Sequence, residues 1–434
     1  METPVAASER QELVRVIGRW SLAALIINCI VGSGVFGLPS VVAALVGRAS
    51  VLAVLFGGAG AAVIMACFAE VASRFTETGG PYLYVRTAFG RLLGIEVGWL
   101  VWLVRLASCA ANANLFVTYL GEFWSKATQP APRLAILTLL LGVLAAINIR
   151  GARGGTHVSN FFAIFKLSAL AIVCAAGAFY LMRTHRLVSA ASVNPTAGAW
   201  VRAMMLLIFA YGGFEAAVIS SGEAKNPRRD TAFGLLIAVV AVTAIYGLIQ
   251  WVVVAVLPDP GHSERPLADV ARIVMGAGGA AVIAVGALLA VYGYLSGNML
   301  ATPRITFALA ERGDFPRFFA AVHGKFHTPY FSIAIFAVLV WLLALFGNFA
   351  ANATLSAGAR LFYYGLVCAG LPVLRKKQPG SALFRLPAGT LLAAVGTLIC
   401  LGLLSQMDLG KSLVLGVTFA IGLVNWLAVR KPQA

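Results

Sequence analysis

Two glycine-rich segments contain the residues with the clearest potential to bind a small solute. Residues 32–37 include Ser33, residues 211–215 include Glu215, and both segments lie inside long apolar stretches. If a helix is interrupted there, the half-helix that begins at the break has free N–H groups, and the half-helix that ends there has free carbonyls. Free N–H groups favour an anion, and free carbonyls favour an ammonium group. Both together would suit a zwitterion, of which an α-amino acid is the simplest.

About twelve apolar stretches supply the elements that must position these segments. The chain has 434 residues, of which 60% are hydrophobic and only 11% are charged, whereas soluble proteins carry about 25% charged residues. A helix needs about 20 mostly apolar residues to cross a bilayer, so the composition predicts an all-α integral membrane protein of about twelve transmembrane helices. Their expected cores are residues 20–45, 51–71, 93–119, 134–148, 161–182, 200–220, 233–257, 280–300, 331–346, 361–374, 391–404 and 413–428.

The glycine-rich segments fall in the first and sixth stretches, so each belongs to the first member of a set of five. Because five is odd, the second set enters the membrane from the opposite side, and the two sets form inverted repeats. An interrupted helix persists in lipid only where protein or a polar ligand satisfies its backbone, so we expect a solute site near the midplane. The expected organisation is one transmembrane transporter domain, residues 1–434, with a cytoplasmic segment (1–19), repeat one (20–182), repeat two (200–377) and two additional helices (386–429).

The formal charge of +17 is distributed as in a membrane protein and does not indicate a nucleic-acid partner. Lysine and arginine are concentrated in alternate connectors, as the positive-inside rule requires of cytoplasmic loops. This bias predicts a multi-pass protein of the cell membrane, surrounded by lipid, with both termini cytoplasmic. The smaller set expected in outer connectors includes Arg183, Arg202 and Arg360. The first stretch lacks a small-residue cleavage site, which indicates a retained span and not a signal peptide.

No residue pattern predicts catalysis, a metal or a bound cofactor. Gly32, Gly34 and Gly37 spell G-x-G-x-x-G, but a dinucleotide site requires a preceding strand and a βαβ unit. His323 and His327 are four apart, yet the nearby glycine and proline disfavour the helix that a metal pair would need. The six cysteines lie in apolar stretches without metal-ligand spacing and are expected to be small buried side chains: Cys29, Cys67, Cys109, Cys174, Cys368 and Cys400.

Charged residues inside the apolar stretches are expected to be functional, because they are costly to place in lipid. Lys166 is either a coupling residue that gains and loses a proton or a permanently paired cation. Glu215 is either the acid of the solute site or an N-cap of the half-helix that follows it. Arg105 either lines the cavity or pairs with an acid of another helix, and the pair is favoured. Glu70 is either half of a gate pair with a loop arginine or a solvated end residue.

Two uncharged residues complete the candidate set. Phe209 lies just before the second glycine-rich segment, where it would cap a bound solute, although an aromatic there also fits plain packing. Asn298 interrupts the apolar face of the eighth stretch and is expected to meet the cavity.

Several motifs together resemble those of amino acid permeases of the amino acid–polyamine–organocation superfamily, and the resemblance covers nearly the whole chain. Each motif is weak alone, and the set is specific. The motifs are GSGVF at 32–36, AEVASRF at 69–75 followed by GGPY at 79–82, YGGFE at 211–215, EAKNPRR at 223–229, and the connector from Arg304 through Phe315 to Pro329.

The resemblance implies twelve helices in five-plus-five inverted repeats, with discontinuous first and sixth helices. It implies that the backbone N–H groups and the hydroxyl around Ser33 and Gly34 hold the carboxylate of an amino acid substrate, and that the neighbouring Gly32 also belongs to the substrate site. It also assigns Phe209 as an aromatic lid. Carbonyls at four positions would hold the substrate amine: Ile30, Val31, Phe209 and Gly212.

Lys166 matches the fifth-span lysine that, in proton-coupled relatives, occupies the place of a sodium ion. The resemblance therefore implies secondary transport of an amino acid, with protons as coupling partner or by exchange. Two alternatives remain open from the sequence: a polyamine or organocation carrier, and an amino acid sensor of the same fold that transports nothing.

Overall fold

The computed structural model describes residues 18–75, 79–151, 156–184, 194–220 and 226–429. Every regular element in these ranges is a helix, and none of the described residues forms a strand, as the composition predicts. The predictions for residues 1–17 of the N-terminal segment and for residues 223–225 of the EAKNPRR motif lie outside the described residues.

Fifteen α-helices follow one another along the described ranges. Nine helical segments among these residues are long and apolar enough to cross a membrane, which makes the chain a multi-pass membrane protein. In chain order the helices are α1 (Arg19–Ile30), α2 (Gly34–Val46), α3 (Ser50–Ala72), α4 (Gly80–Phe89), α5 (Arg91–Leu120), α6 (Pro130–Ile149), α7 (Thr156–Thr184), α8 (Ala197–Tyr211), α9 (Phe214–Ser220), α10 (Pro227–Val256), α11 (Pro266–Glu311), α12 (Tyr330–Phe346), α13 (Phe349–Lys377), α14 (Gly389–Leu404) and α15 (Leu409–Val429).

The first apolar stretch is interrupted where the glycines predict it. Helix α1 ends at Ile30 and α2 begins at Gly34. The Val31 N–H still donates to the Ile27 carbonyl, but the Gly32 N–H turns back onto the Ile30 carbonyl at 2.7 Å. Glycine and serine have lower helix propensity than the apolar residues around them, so the helical path breaks here and resumes one turn later.

The sixth stretch is also interrupted, between α8 and α9, by two glycines. Gly212 is extended, whereas Gly213 has a φ of +109°, a conformation that glycine adopts readily and other residues rarely do. A Cβ on Gly213 would also collide with the Cys29 carbonyl near the end of α1. The two interruptions are therefore in direct contact, and only glycine permits that approach.

Longer helices enclose the two interruptions, and one of them, α11, is kinked at Gly276. Helix α5 packs along α13 and α11, and α13 also packs on α8. Helix α1 lies against α10, α2 lies against α8, and α7 lies against α11. Because α5 is buried over most of its length, its polar residues face the protein interior and not lipid.

Arg360 does not lie in an outer connector, so that prediction was wrong. Helix α13 begins at Phe349, well before the apolar core expected from residue 361, and Arg360 lies in its interior with only 3% of its surface exposed. The first turns of α13 are rich in alanine, asparagine and serine. They fail the hydropathy pattern because they pack against protein and not against lipid.

Glu70 is neither solvated nor paired with a single arginine. It is fully buried at the end of α3, where it binds Arg74 at 2.7 Å and Arg375 of α13 at 2.6 Å. The backbone N–H of Leu386 donates a further hydrogen bond of 2.8 Å to the same carboxylate. The arginine expected from a loop thus comes partly from α13, and the cluster ties α3 to the connector before α14.

A second ionic cluster joins the connector after α11 to α4 and α5. Asp314 is fully buried and accepts from Arg91 at 2.8 Å, from Arg86 at 2.5 Å and from the Tyr82 hydroxyl. Burial and the neighbouring Asp314 carboxylate raise the pKa of Tyr82 to about 12, so this hydroxyl remains a donor. The Glu70 and Asp314 clusters stabilise packing between helices outside the cavity described next.

Candidate functional site

A cavity of about 330 Å³ lies where the two interruptions meet. Its walls come from the ends of α1 and α8, the start of α2, and the facing sides of α5, α6, α7, α11 and α13. Most of the candidate residues chosen from the sequence border it: Ile30, Gly32, Ser33, Gly34, Lys166, Phe209, Gly212 and Asn298. Two do not: the Val31 side chain is fully buried in the protein core, and Glu215 lies behind Arg360.

Free N–H donors border this cavity at the start of α2. Within the described ranges, no acceptor meets the backbone N–H of Ser33 or Gly34. The Ser33 hydroxyl likewise makes no hydrogen bond within the described ranges, although only 3% of the residue surface is exposed. Helix α2 is 13 residues long, so its positive dipole end is directed at the same point. This arrangement can hold a carboxylate.

The backbone carbonyls at the ends of α1 and α8 have more hydrogen-bond donors within the protein than the sequence predicts. The Ile30 carbonyl accepts from the Gly32 N–H at 2.7 Å and lies 3.1 Å from the Tyr246 hydroxyl, whose single proton is shared with the Ala210 carbonyl. The role of the Ile30 carbonyl in holding a substrate amine remains a prediction, in competition with these two donors. Tyr246 of α10 also contacts the Ala210 carbonyl at 3.2 Å and so links the two interruptions.

Glu215 forms the most complete polar cluster near the cavity. One carboxylate oxygen accepts from Arg360 Nε at 3.1 Å and the Tyr363 hydroxyl at 3.2 Å. The other accepts from the Gly213 N–H at 2.8 Å and the Tyr364 hydroxyl at 3.0 Å. Glu215 therefore caps the start of α9 and neutralises Arg360. With four donors on one carboxylate, it has little capacity left for a substrate amine.

Gly212 is required because of the neighbouring arginine and not because of its backbone angles. Its φ of −74° and ψ of 167° suit any residue. A Cβ at this position would, however, overlap the Arg360 guanidinium. That guanidinium also donates to the Phe209 carbonyl at 3.4 Å and lies over the Phe209 ring. The backbone of the second interruption therefore packs directly against the Arg360 guanidinium.

Arg105 lines the cavity and has no carboxylate partner among the described residues. It is 8% exposed on α5, and the hydrogen bond found for it goes to Asn298 Oδ1 at 3.4 Å. The ion pair favoured from the sequence is not present as a direct contact within 4.0 Å among the described residues. The acid nearest in this part of the core, Glu215, is already paired with Arg360.

Lys166 binds the end of α1. Its Nζ donates to the Asn28 carbonyl at 3.0 Å and to Asn28 Oδ1 at 2.8 Å. A cation at the carboxyl end of a helix is favoured by the helix dipole and by the free carbonyls there. These two hydrogen bonds join α7 to the end of α1, next to the first interruption.

Three residues of this region were missed by sequence reasoning. Arg360 was assigned to a connector, although an arginine beside a small-residue helix in a membrane protein is itself a signal of a polar interior. Asn28 lies four residues before Gly32, within reach of the break. Tyr246 gives no signal, because a tyrosine in an apolar helix is usually packing.

An all-helical membrane protein with a polar cavity between two interrupted helices has the architecture of a transporter, not of an enzyme. The chain belongs to the amino acid permease family, whose model matches residues 17–420. This match confirms the resemblance read from the motifs.

Several characterised relatives align along nearly the whole chain. A methylthioribose transporter of Bacillus subtilis (strain 168) is 26% identical over 454 residues, covering 99% of this chain and 94% of the relative. A serine/threonine exchanger of the same organism is 26% identical over 442 residues, covering 98% and 99%. Its branched-chain amino acid permease is 25% identical over 438 residues, covering 96% and 94%.

Proposed function

We propose that the protein is a secondary transporter that carries amino acids across the cytoplasmic membrane by alternating access. The observation that carries the proposal is that the backbone N–H groups of Ser33 and Gly34, which border the cavity formed by both interruptions, have no acceptor among the described residues. They suit the α-carboxylate that all amino acids share. Two relatives whose names identify amino acid transport, the serine/threonine exchanger and the branched-chain permease, support this substrate class.

The proposed topology has twelve spans with both termini in the cytoplasm. Helices α1 and α2 form the first span, α8 and α9 form the sixth, and α14 and α15 are the two additional helices. Repeat one then covers residues 20–182 and repeat two covers residues 200–377. During transport the two interrupted spans swing against a scaffold of α5, α6, α11 and α12.

The charges around the cavity disfavour a polyamine or organocation carrier. Glu215 was the residue that favoured such a cargo, but its carboxylate is occupied by Arg360 and two tyrosines. Arg105, in contrast, borders the cavity and would repel a cation.

Counterflow in proteoliposomes tests the proposal. The purified protein would first be screened against the twenty amino acids and common amines for a rise in melting temperature. Vesicles loaded with the best stabilising amino acid should then accumulate the same labelled compound from outside, and vesicles without protein should not. An amino acid that binds but shows no counterflow would assign the protein as a sensor and contradict transport.

Replacing Lys166 by alanine is expected to abolish proton-driven accumulation while leaving counterflow measurable. Lys166 holds the end of α1 through Asn28, and without a group that takes up and releases a proton, substrate movement is no longer tied to the proton gradient. Lys166→Arg keeps the positive charge but stays protonated, so it should also fail to accumulate substrate. Uptake of labelled substrate with and without an imposed pH gradient measures both effects.

The matched control is Lys126→Ala, which removes an exposed lysine from the connector before α6 and should behave as wild type. Normal proton-driven accumulation by Lys166→Ala would contradict proton coupling through this residue. A wild-type protein that shows counterflow but no response to the pH gradient would identify an exchanger.

A further inference from the structure

We infer that the preferred substrate carries a second negative charge, that is, an acidic amino acid with a side-chain carboxylate. This inference rests on the proposed function, since it concerns the same cavity. It follows from the charges that the protein leaves uncompensated there.

Three cationic side chains border the cavity: Arg105, Lys166 and Arg360. Among the described residues, the acid that contacts one of them is Glu215, which is paired with Arg360. Arg360 and Glu215 neutralise one another at 3.1 Å. Lys166 is held by neutral oxygens of Asn28. Arg105 has an amide oxygen as its partner, and no carboxylate lies within 4.0 Å of it in the described part of the chain. The cavity therefore has an excess of positive charge before substrate enters.

An arginine buried without a counter-ion is costly, because its desolvation is not repaid by an ion pair. Arg105 is more than nine-tenths buried, and its hydrogen bond to Asn298 at 3.4 Å is long for a strong interaction. A substrate carboxylate would supply the missing charge, and arginine binds carboxylates with two parallel hydrogen bonds. Asn298 would then keep the guanidinium directed at the cavity.

The polar residues of α5 lie on one face of the helix. Two of them, Arg105 and Asn112, could bind the same substrate. Arg105, Ser108 and Asn112 recur at the spacing of one helix face and all border the cavity. Asn112 is 1% exposed and its Oδ1 has no donor among the described residues. This oxygen is itself buried, and a rotation of the Asn112 side chain would bring it to a substrate ammonium group in the cavity.

The three binding groups match the three charges of an acidic amino acid. The free N–H groups of Ser33 and Gly34 suit the α-carboxylate, Asn112 Oδ1 suits the amine, and Arg105 suits the side-chain carboxylate. A neutral amino acid would leave Arg105 without a counter-ion. An inorganic anion such as chloride could also neutralise Arg105, and the test must separate that case.

The test is counterflow in chloride-free gluconate medium, comparing glutamate and aspartate with their neutral amides glutamine and asparagine. The pairs are nearly isosteric, so they differ mainly in charge. Glutamate or aspartate should compete for labelled substrate at least about tenfold better than its amide, about 1.4 kcal/mol. A preference for the amides, or transport of neutral amino acids that requires added chloride, would overturn the inference and leave amino acid transport intact.

Arg105→Gln should lose the preference for the acidic member of each pair, and Arg105→Lys should retain part of it. The matched control is Arg202→Gln, which removes an exposed arginine from α8 and should keep the wild-type preference. Since the preference is first measured on the wild type, the inference remains testable even if Arg105→Gln does not fold.

Melting temperature provides a second readout that does not depend on transport. Glutamate or aspartate should stabilise the wild type and not Arg105→Gln, with the amides as reference. Stabilisation by an acidic amino acid without counterflow would support the ligand class and contradict transport. Neither stabilisation nor transport by any amino acid would overturn both proposals.

Discussion

Gly34→Leu is expected to abolish uptake while leaving the protein folded in the membrane. A Cβ on Gly34 would lie 3.4 Å from the Ala210 Cα and from the Phe209 ring, which is ordinary contact. The remaining carbons of leucine would have to enter the cavity, where we propose that the substrate carboxylate binds. Since a displacement of about 1 Å at a binding site can lower a rate about 100-fold, uptake should fall by at least that factor. Initial uptake rates, normalised to protein in the membrane, measure the effect.

Two variants control for the substitution itself. Gly34→Ala adds only the tolerated Cβ and should retain substantial uptake. Gly142→Leu places the same side chain in α6, on an exposed position with nothing within 4 Å, and should transport as wild type. Wild-type uptake by folded Gly34→Leu would refute the assignment of the carboxylate to the start of α2.

Removing one partner of the Glu215–Arg360 pair is expected to destabilise the protein by about 3–5 kcal/mol, because it leaves an uncompensated buried charge. Both side chains are almost fully buried, with 2% and 3% exposed. Glu215→Gln removes the carboxylate that neutralises Arg360, and Arg360→Gln leaves Glu215 with neutral donors. A marked fall in melting temperature is expected for each single variant.

The double variant Glu215→Gln with Arg360→Gln removes both charges and should be more stable than the sum of the two single effects predicts. The control is Arg265→Gln, which breaks a more exposed contact with Glu122 at 3.6 Å and should cost about 1 kcal/mol or less. Strictly additive effects of the two buried substitutions would show that the pair does not act as a unit.

The sequence predicts the features that depend on local composition. Glycine at positions 32, 34, 212 and 213 weakens a helix wherever it lies, so both interruptions follow from the residue types and the apolar surroundings. The sequence also predicts that Lys166 faces the protein interior, because a lysine inside an apolar stretch must reach a polar partner.

Features that depend on distant pairing do not follow from the sequence. Glu215 and Arg360 are separated by 145 positions, and nothing local to either residue indicates the other. The contact of Tyr246 with the Ile30 carbonyl and the pairing of Glu215 with Arg360, which leaves no described carboxylate within 4.0 Å of Arg105, have the same origin. These contacts decide which charges remain available, so the substrate class emerges only from the folded arrangement.

The most direct test of the proposed binding site is a cryo-electron microscopy structure of the protein in lipid nanodiscs with the transported amino acid bound. We expect density for the amino acid between the two interruptions, with its α-carboxylate about 3 Å from the backbone nitrogens of Ser33 and Gly34. Bound substrate elsewhere, or a continuous helix through residues 31–33, would contradict it.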